Sequence, residues 1–136
     1  VVINPNIKDK DLKSEKSEAY KKVKGALEEI VQVLKNEGIK IWIRPETTGK
    51  GTQFGNLEEI LSLSSEIEGV LPCIDYAHMH TRGGKYNSYG EFVKILEIVE
   101  NKLGREALDN MHIQISGVNY SEKGEKNHNY GSRWRP

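Results

Sequence analysis

Ile39-Lys40-Ile41-Trp42-Ile43-Arg44-Pro45-Glu46 decides the fold of this chain. Its residues alternate with the period of two that a strand imposes. Ile41 and Ile43 take one face, and Trp42, Arg44 and Glu46 take the other. The aliphatic face suits packing against helices, and the polar face suits a barrel interior. Pro45 and Glu46 close the strand, because proline cannot donate to a ladder. Residues 47–55 then read as a Gly/Thr-rich loop.

Upstream, Ala19, Tyr20, Val23, Leu27, Ile30, Val31 and Leu34 recur at helical spacing, with Ser14 or Ser17 as a cap and Gly38 as a stop. Residues 1–3 are β-branched and halt at Asn4-Pro5. Downstream, Asn56 followed by Glu59 is a capping-box signature, and Leu57, Ile60, Leu61 and Ile67 form an apolar face. Residues 70–75 predict another strand, and 77–87 a loop rich in His, Gly and Arg. Ser88 with Glu91 marks a second capping box, and Phe92, Ile95, Leu96, Val99 and Leu103 carry that helix to Gly104. Residues 111–116 predict the last strand, and 117–136 an irregular C-terminal segment.

The order βαβαβαβ predicts an α/β fold with a parallel sheet and right-handed crossovers, in a single domain over 1–136. Glu46, Asp75, His78 and Ser116 gather at the C-terminal ends of strands, where such folds build their sites. A closed eight-stranded barrel takes about 250 residues. With 136 residues, the chain has roughly half of that, so the expected architecture is a partial TIM barrel.

Composition narrows the function classes. Twenty Lys+Arg balance twenty Asp+Glu, which excludes a simple polycationic nucleic-acid wrapper. No apolar run approaches the roughly 20 residues that span a bilayer, so no membrane partner is expected. The opening residues have neither a basic region nor a long apolar one, so no secretory leader is expected. Cys73 is the single cysteine, which makes an internal disulfide impossible and a reducing, cytoplasmic setting the expectation. Cys73 itself reads as a small core residue.

Metal chemistry is the strongest signal in the side chains. Asp75 ends an apolar strand, and His78 and His80 follow three and five residues later, a carboxylate and imidazoles converging as N and O ligands do. A capping Asp beside two exposed histidines is the simpler alternative. Glu46 is either a ligand at its own strand end or a solvated loop residue. His112 shares a strand face with Gln114 and Ser116, and His128 lies in a charged segment with Glu125. All four histidines lie in or after predicted strands, on the end that carries Glu46 and Asp75. No phosphate loop, nucleophile elbow, dinucleotide fingerprint or zinc-finger pair is present.

Together, 44–50 (Arg-Pro-Glu-Thr-Thr-Gly-Lys), 73–78 (Cys-Ile-Asp-Tyr-Ala-His), 111–117 (Met-His-Ile-Gln-Ile-Ser-Gly) and 125–128 (Glu-Lys-Asn-His) resemble the endonuclease IV family of apurinic/apyrimidinic endonucleases. The likeness is greater to its archaeal branch, within the xylose-isomerase-like TIM barrels. Order and spacing match the fifth to seventh strands of that barrel and the loop after the seventh. The resemblance implies a zinc centre that hydrolyses the phosphodiester 5′ of an abasic site in DNA. It implies Glu46 as the catalytic, metal-bridging carboxylate. Asp75 and His112 would belong to one metal, and His78 and His128 to another, with Glu125 beside them. Asn4 stands where the family has a histidine, Lys126 interrupts the family's Asp-x-His, and the first three strands and the eighth have no counterpart here.

Lys50, Arg82 and Lys85 lie in the loops beside these residues and are the expected substrate contacts to phosphate. Three readings follow: part of an endonuclease IV-like enzyme, a sugar isomerase or epimerase of the same superfamily, or an inactive barrel fragment. Unpaired outer strands also predict a complementary chain, or a homo-oligomer, that completes the barrel.

Overall fold

The computed structural model describes residues 1–8, 17–121 and 123–129, and for His128 and Asn129 the backbone alone. Its parallel strands are short. β1 (Val2–Ile3) pairs with β2 (Arg44–Pro45), and β3 (Cys73–Asp75) pairs with β4 (His112–Gln114). Parallel bridges Ile43–Val70 and Glu46–Cys73 join the two pairs. The strands therefore follow one another in sequential order, all parallel. Among the described residues the ladder does not close on itself.

Helices cover the outer face. α1 (Glu18–Asn36) begins at Ser17, whose hydroxyl accepts from the Tyr20 N–H at 3.1 Å. Its buried stripe of Ala19, Tyr20, Val23, Leu27 and Val31 meets Ile43, Phe54, Ile60, Leu63 and Val70 in one core cluster. α2 (Leu57–Glu66) starts with the full reciprocal capping box of Asn56 and Glu59. Leu61 turns the other way, into a second cluster with Ile74, Tyr76, Met79, Ile95 and Val99. Each such aliphatic side chain contributes roughly 1.5–3 kcal/mol by leaving water. The two clusters fix α1, α2 and α4 (Tyr89–Leu103) against the strands and so set where the strand ends fall.

Three local expectations are corrected. The ladder runs through residues 43–46 rather than 39–44, and Ile39, Ile41 and Trp42 are exposed. Cross-strand pairing starts at Trp42, whose carbonyl accepts from the Val1 amine. The expected loop at 77–87 instead opens with a short helix, α3 (Tyr76–Thr81), too brief to show periodicity. Ser88 is not a capping-box acceptor, since its hydroxyl donates to Glu91 Oε2 at 2.8 Å. A further short helix, α5 (Arg105–Asp109), fills the connection to β4.

The segment after β4 is also more ordered than expected. In place of an irregular stretch, β5 (Gly117–Ser121) and β6 (Gly124–Asn129) form an antiparallel hairpin. Val118 and Tyr120 alternate on β5, but β6 (Gly-Glu-Lys-Asn-His-Asn) is polar throughout, too little apolar pattern to mark a hairpin in the sequence. It is held by contact with α3, where the His80 and Tyr120 rings meet edge to face at 4.9 Å. Residues 130–136 of the expected irregular segment lie outside the described residues. No described helix is long and apolar enough to cross a membrane.

Candidate metal centre

Parallel pairing brings the C-terminal strand ends side by side. Glu46 follows β2, Asp75 ends β3, and Gln114, in register with Asp75, ends β4. His78 lies three residues beyond Asp75, in the first turn of α3. Ligand atoms of Glu46, Asp75 and His78 all lie within 4.8 Å of one another, and all three residues are buried.

Asp75 does two jobs. Its Oδ1 accepts from the His78 backbone N–H at 2.9 Å and caps α3, while Oδ2 faces the His78 ring at 3.6 Å. The capping and ligand alternatives for this residue are thus compatible, one per oxygen. Thr47 braces the arrangement from beneath. Its hydroxyl accepts from the Asp75 N–H at 2.9 Å, and its carbonyl accepts from His78 Nδ1 at 2.7 Å. A histidine anchored this way through one nitrogen has its other nitrogen aimed by that hydrogen bond. Here Nε2 points to Glu125 Oε2, 3.2 Å away.

Two glycines let Glu125 come that close. A Cβ on Gly49 would stand 2.8–3.0 Å from atoms of Thr81, Glu125 and His78. Gly124 has φ +97°, and a Cβ there would lie 2.5 Å from the Gly49 carbonyl oxygen. The hairpin therefore lies directly on the 47–55 loop, with Glu125 N–H donating to Gly49 O at 3.3 Å.

Acidic groups crowd one side chain in this cluster. Three carboxylates converge on one imidazole: Glu46 Oε1 lies 3.1 Å from His78 Nδ1, Asp75 Oδ2 3.6 Å from it, and Glu125 Oε2 faces Nε2. Burial pulls the imidazolium's pKa down. Glu46, Asp75, the Thr47 carbonyl and Glu125 outweigh that and push it up to about 9. Among the described residues, His78 is the one cationic side chain in ion-pair distance of Glu46 and Asp75. Buried carboxylates of this kind are stable when paired or coordinated. The donor set of carboxylate oxygens and imidazole nitrogen fits a divalent cation.

Other expected site residues are placed apart from this group. His112 occupies the first rung of β4, opposite Cys73, and is exposed. It shares Gln114's face but stands two residues, about 7 Å, nearer the strand's start. Gln114, not His112, reaches the carboxylates. The side chain of His128 lies outside the described residues, although its backbone pairs with Val118. Arg82 is committed to the fold: its guanidinium donates to Thr48 O (3.1 Å), Thr48 Oγ1 (2.7 Å) and Gln53 O (2.9 Å). Lys85 is exposed and lines, with Arg82, Met79 and Tyr86, a cleft of about 340 Å³ that Glu46, Asp75 and His78 do not line. Lys50 is exposed on the 47–55 loop, next to Gly49. Asn4, after β1, points its amide at Glu46 Oε2, 3.5 Å away. Cys73 is fully buried, and burial, with Glu46 and Asp75 nearby, pushes its thiol up to about 12, so it is an inert core residue.

Sequence reasoning missed Thr47 and Gln114. Gln114 was legible from register, because period two puts it on the face of His112 while the strand end selects it. Thr47 offers no signal by residue type.

Comparison with known proteins agrees with this architecture. A family model described as xylose isomerase-like TIM barrel matches residues 1–136. The chain is 45% identical over 118 residues to an uncharacterized protein of Methanocaldococcus jannaschii. That match covers 86% of this chain and 43% of the relative, so the chain spans less than half the relative's length. No solved structure matches. The match over the whole chain accords with its parallel strands in sequential order, and the chain belongs to the xylose isomerase-like TIM-barrel family.

Proposed function

We propose that this chain supplies the metal-binding half of an endonuclease IV-like barrel that hydrolyses DNA phosphodiesters at abasic sites. The observation that carries this reading is the placement of His78 between two acidic groups. Glu46 and Asp75 stand at its Nδ1 edge, and Glu125 stands at Nε2. An arrangement with acidic ligands on both sides of one imidazole suits adjacent cations, as phosphodiester chemistry uses. Zinc is the ion implied by the family resemblance. Divalent cations bound here would supply Lewis acidity and a lowered water pKa.

The chain's own residues then have defined tasks. Glu46, Asp75, His78 and Glu125 would hold the cations. Thr47 fixes the imidazole, and Arg82 fixes the loop that carries Thr47 and Thr48. Lys50, beside Gly49, is the cation of the expected set best placed to meet a phosphate near the metal centre. Arg82 spends its donors on the loop, so its role in this reading is positioning.

The remaining strands come from elsewhere in this proposal. Four strands are half of an eight-stranded barrel. Among the described residues β4 has a backbone edge open to a neighbouring strand, and Ile113 (42% exposed) and Ile115 (83%), which alternate with Gln114, form an apolar outer face that a further helix of the barrel would cover. A complementary polypeptide, or the further length seen in the relative, is the occupant this edge suits.

A second reading, a sugar isomerase or epimerase, is favoured by one observation. The third strand end presents an amide, Gln114, so the inner ligands are mostly oxygen, as a single hard cation prefers. Incision of a duplex carrying one abasic site, set against turnover of ketoses, separates the two. Both assays use the chain alone and with the remaining barrel strands supplied. Strand incision that needs the added strands supports the nuclease reading, and ketose turnover without incision overturns it.

A further inference from the structure

The two oxygens that His78 approaches also have a second nitrogen partner. With its NH2 group facing the carboxylates, Gln114 Nε2 lies 3.0 Å from Glu46 Oε1 and 3.1 Å from Asp75 Oδ2. That orientation follows from chemistry, because carboxylate oxygens only accept. The same Glu46 Oε1 and Asp75 Oδ2 face His78 Nδ1 from the other side. Gln114 is thus a strap across the carboxylate pair, standing where a further ligand would stand. It is held there by the β3–β4 register, Asp75 opposite Gln114.

We infer that Gln114 sets the metal preference of this centre, turning it toward a hard, oxygen-preferring cation such as Mn²⁺ and away from Zn²⁺. The inference rests on the metal-centre reading above. A carboxamide has two ends. In the metal-free chain its NH2 joins Glu46 to Asp75. A half-turn of the amide presents Oε1 instead, a neutral oxygen ligand that adds to the two carboxylates without adding charge. Carboxylate and carbonyl oxygens suit Mg²⁺ and Mn²⁺, whereas imidazole suits Zn²⁺. His78 Nδ1 gives its proton to the Thr47 carbonyl, so with Gln114 in this position the side chains that would meet a cation between Glu46 and Asp75 offer oxygen alone. A histidine there would put the first imidazole nitrogen into that oxygen set, moving it toward a zinc-like complement. The strap also keeps the carboxylates together without a cation, so less of the metal's binding energy is spent on gathering them.

Competition against a chromophoric chelator, with Mn²⁺ and Zn²⁺ titrated separately into the purified chain, reads this directly. Zn²⁺ binds most N/O sites more tightly than Mn²⁺ in absolute terms, so the quantity that decides is the ratio of the two dissociation constants. Q114H is expected to widen zinc's advantage at least about tenfold, within the range reported for changes around a metal site. Q114E, nearly isosteric with the wild type, is expected to strengthen Mn²⁺ binding. Q114M, which offers neither strap nor hard ligand, is expected to weaken Mn²⁺ more than Zn²⁺. Circular dichroism of each variant confirms that the fold is retained, and Q114E carries the test if Q114H does not fold. A ratio unchanged in Q114H and Q114E, with the wild type binding metal, overturns the role of Gln114 alone. A wild-type chain that binds neither ion overturns the metal-centre reading and this inference with it.

Discussion

Replacing Asp75 separates the two tasks its oxygens perform. In D75N the amide oxygen takes the place of Oδ1, which accepts from the His78 N–H at 2.9 Å in the wild type, so the α3 cap should survive. The charge beside the His78 ring is lost. In D75A both go. Loss of an N-cap costs about 1 kcal/mol, and leaving the buried His78 N–H without a partner costs roughly 1–3 kcal/mol, partly the same energy counted twice. D75A should therefore be about 1–3 kcal/mol less stable than D75N. At about 3–4 °C per kcal/mol for a domain of this size, that is a difference in melting temperature of roughly 3–12 °C. Against it works the relief of crowding between Asp75 and Glu46, which both variants share and which the comparison cancels. Metal affinity should fall in both, by about 100-fold or more, since removing a direct ligand costs at least what removing an outer partner does. Thermal melting in the absence of metal and chelator competition measure the two quantities. Equal stability of D75N and D75A would refute the cap. Undiminished metal binding by D75N would refute the ligand.

Further outcomes follow from the same geometry. His78, pushed up to about 9 from 6.5, contributes stability that is fully present below about pH 6.5 and is lost as pH rises through about 9, on the order of 3 kcal/mol. Melting temperatures of the metal-free chain across that window should fall in the wild type and stay flat in H78Q. Gly124→Ala places a Cβ against the Gly49 carbonyl at φ +97°, so it should destabilise the hairpin by about 1–3 kcal/mol. Amide exchange in 117–129 should rise and metal affinity should drop as Glu125 leaves His78. Arg82→Ala removes three hydrogen bonds to the 47–55 loop and should cost about 2–3 kcal/mol, with exchange rising at Thr48 and Gln53. Sedimentation should show self-association that adding the missing strands relieves, because β4 has an open backbone edge among the described residues and its outer face exposes Ile113 and Ile115. A monodisperse monomer at high concentration would count against an open edge.

The parts of the molecule that speak clearly in sequence are those with local physics. α1 shows its stripe every three to four residues and its Ser17 cap, and α2 shows its capping box, because both depend on near neighbours. The strand-end carboxylates Glu46 and Asp75 are readable for the same reason: each closes a short apolar or alternating run. α3 is invisible because six residues make no periodicity. The β5–β6 hairpin is hard to read because its partner is α3, not a core, and Val118 and Tyr120 are its only apolar side chains. His112 attracts attention by type, yet register decides who reaches the carboxylates. Asp75 sits opposite Gln114, and one pleat separates His112 from the site. Glu125 is legible as a charge beside His128, but its approach to His78 depends on Gly49 and Gly124 meeting without side chains, a tertiary fact.

A single titration bears most directly on the claim that Glu46, Asp75 and His78 form a divalent-cation site. Mn²⁺ and Zn²⁺ are titrated into the metal-free chain by calorimetry, beside the double variant E46Q/D75N, which keeps the size of both side chains and the α3 cap. The structure leads to saturable binding in the wild type, weaker than a complete four-ligand zinc site would give, and to its loss in a double variant that melts as cooperatively as the parent. Binding that persists undiminished in the double variant, or a wild type that takes up neither ion, would contradict it.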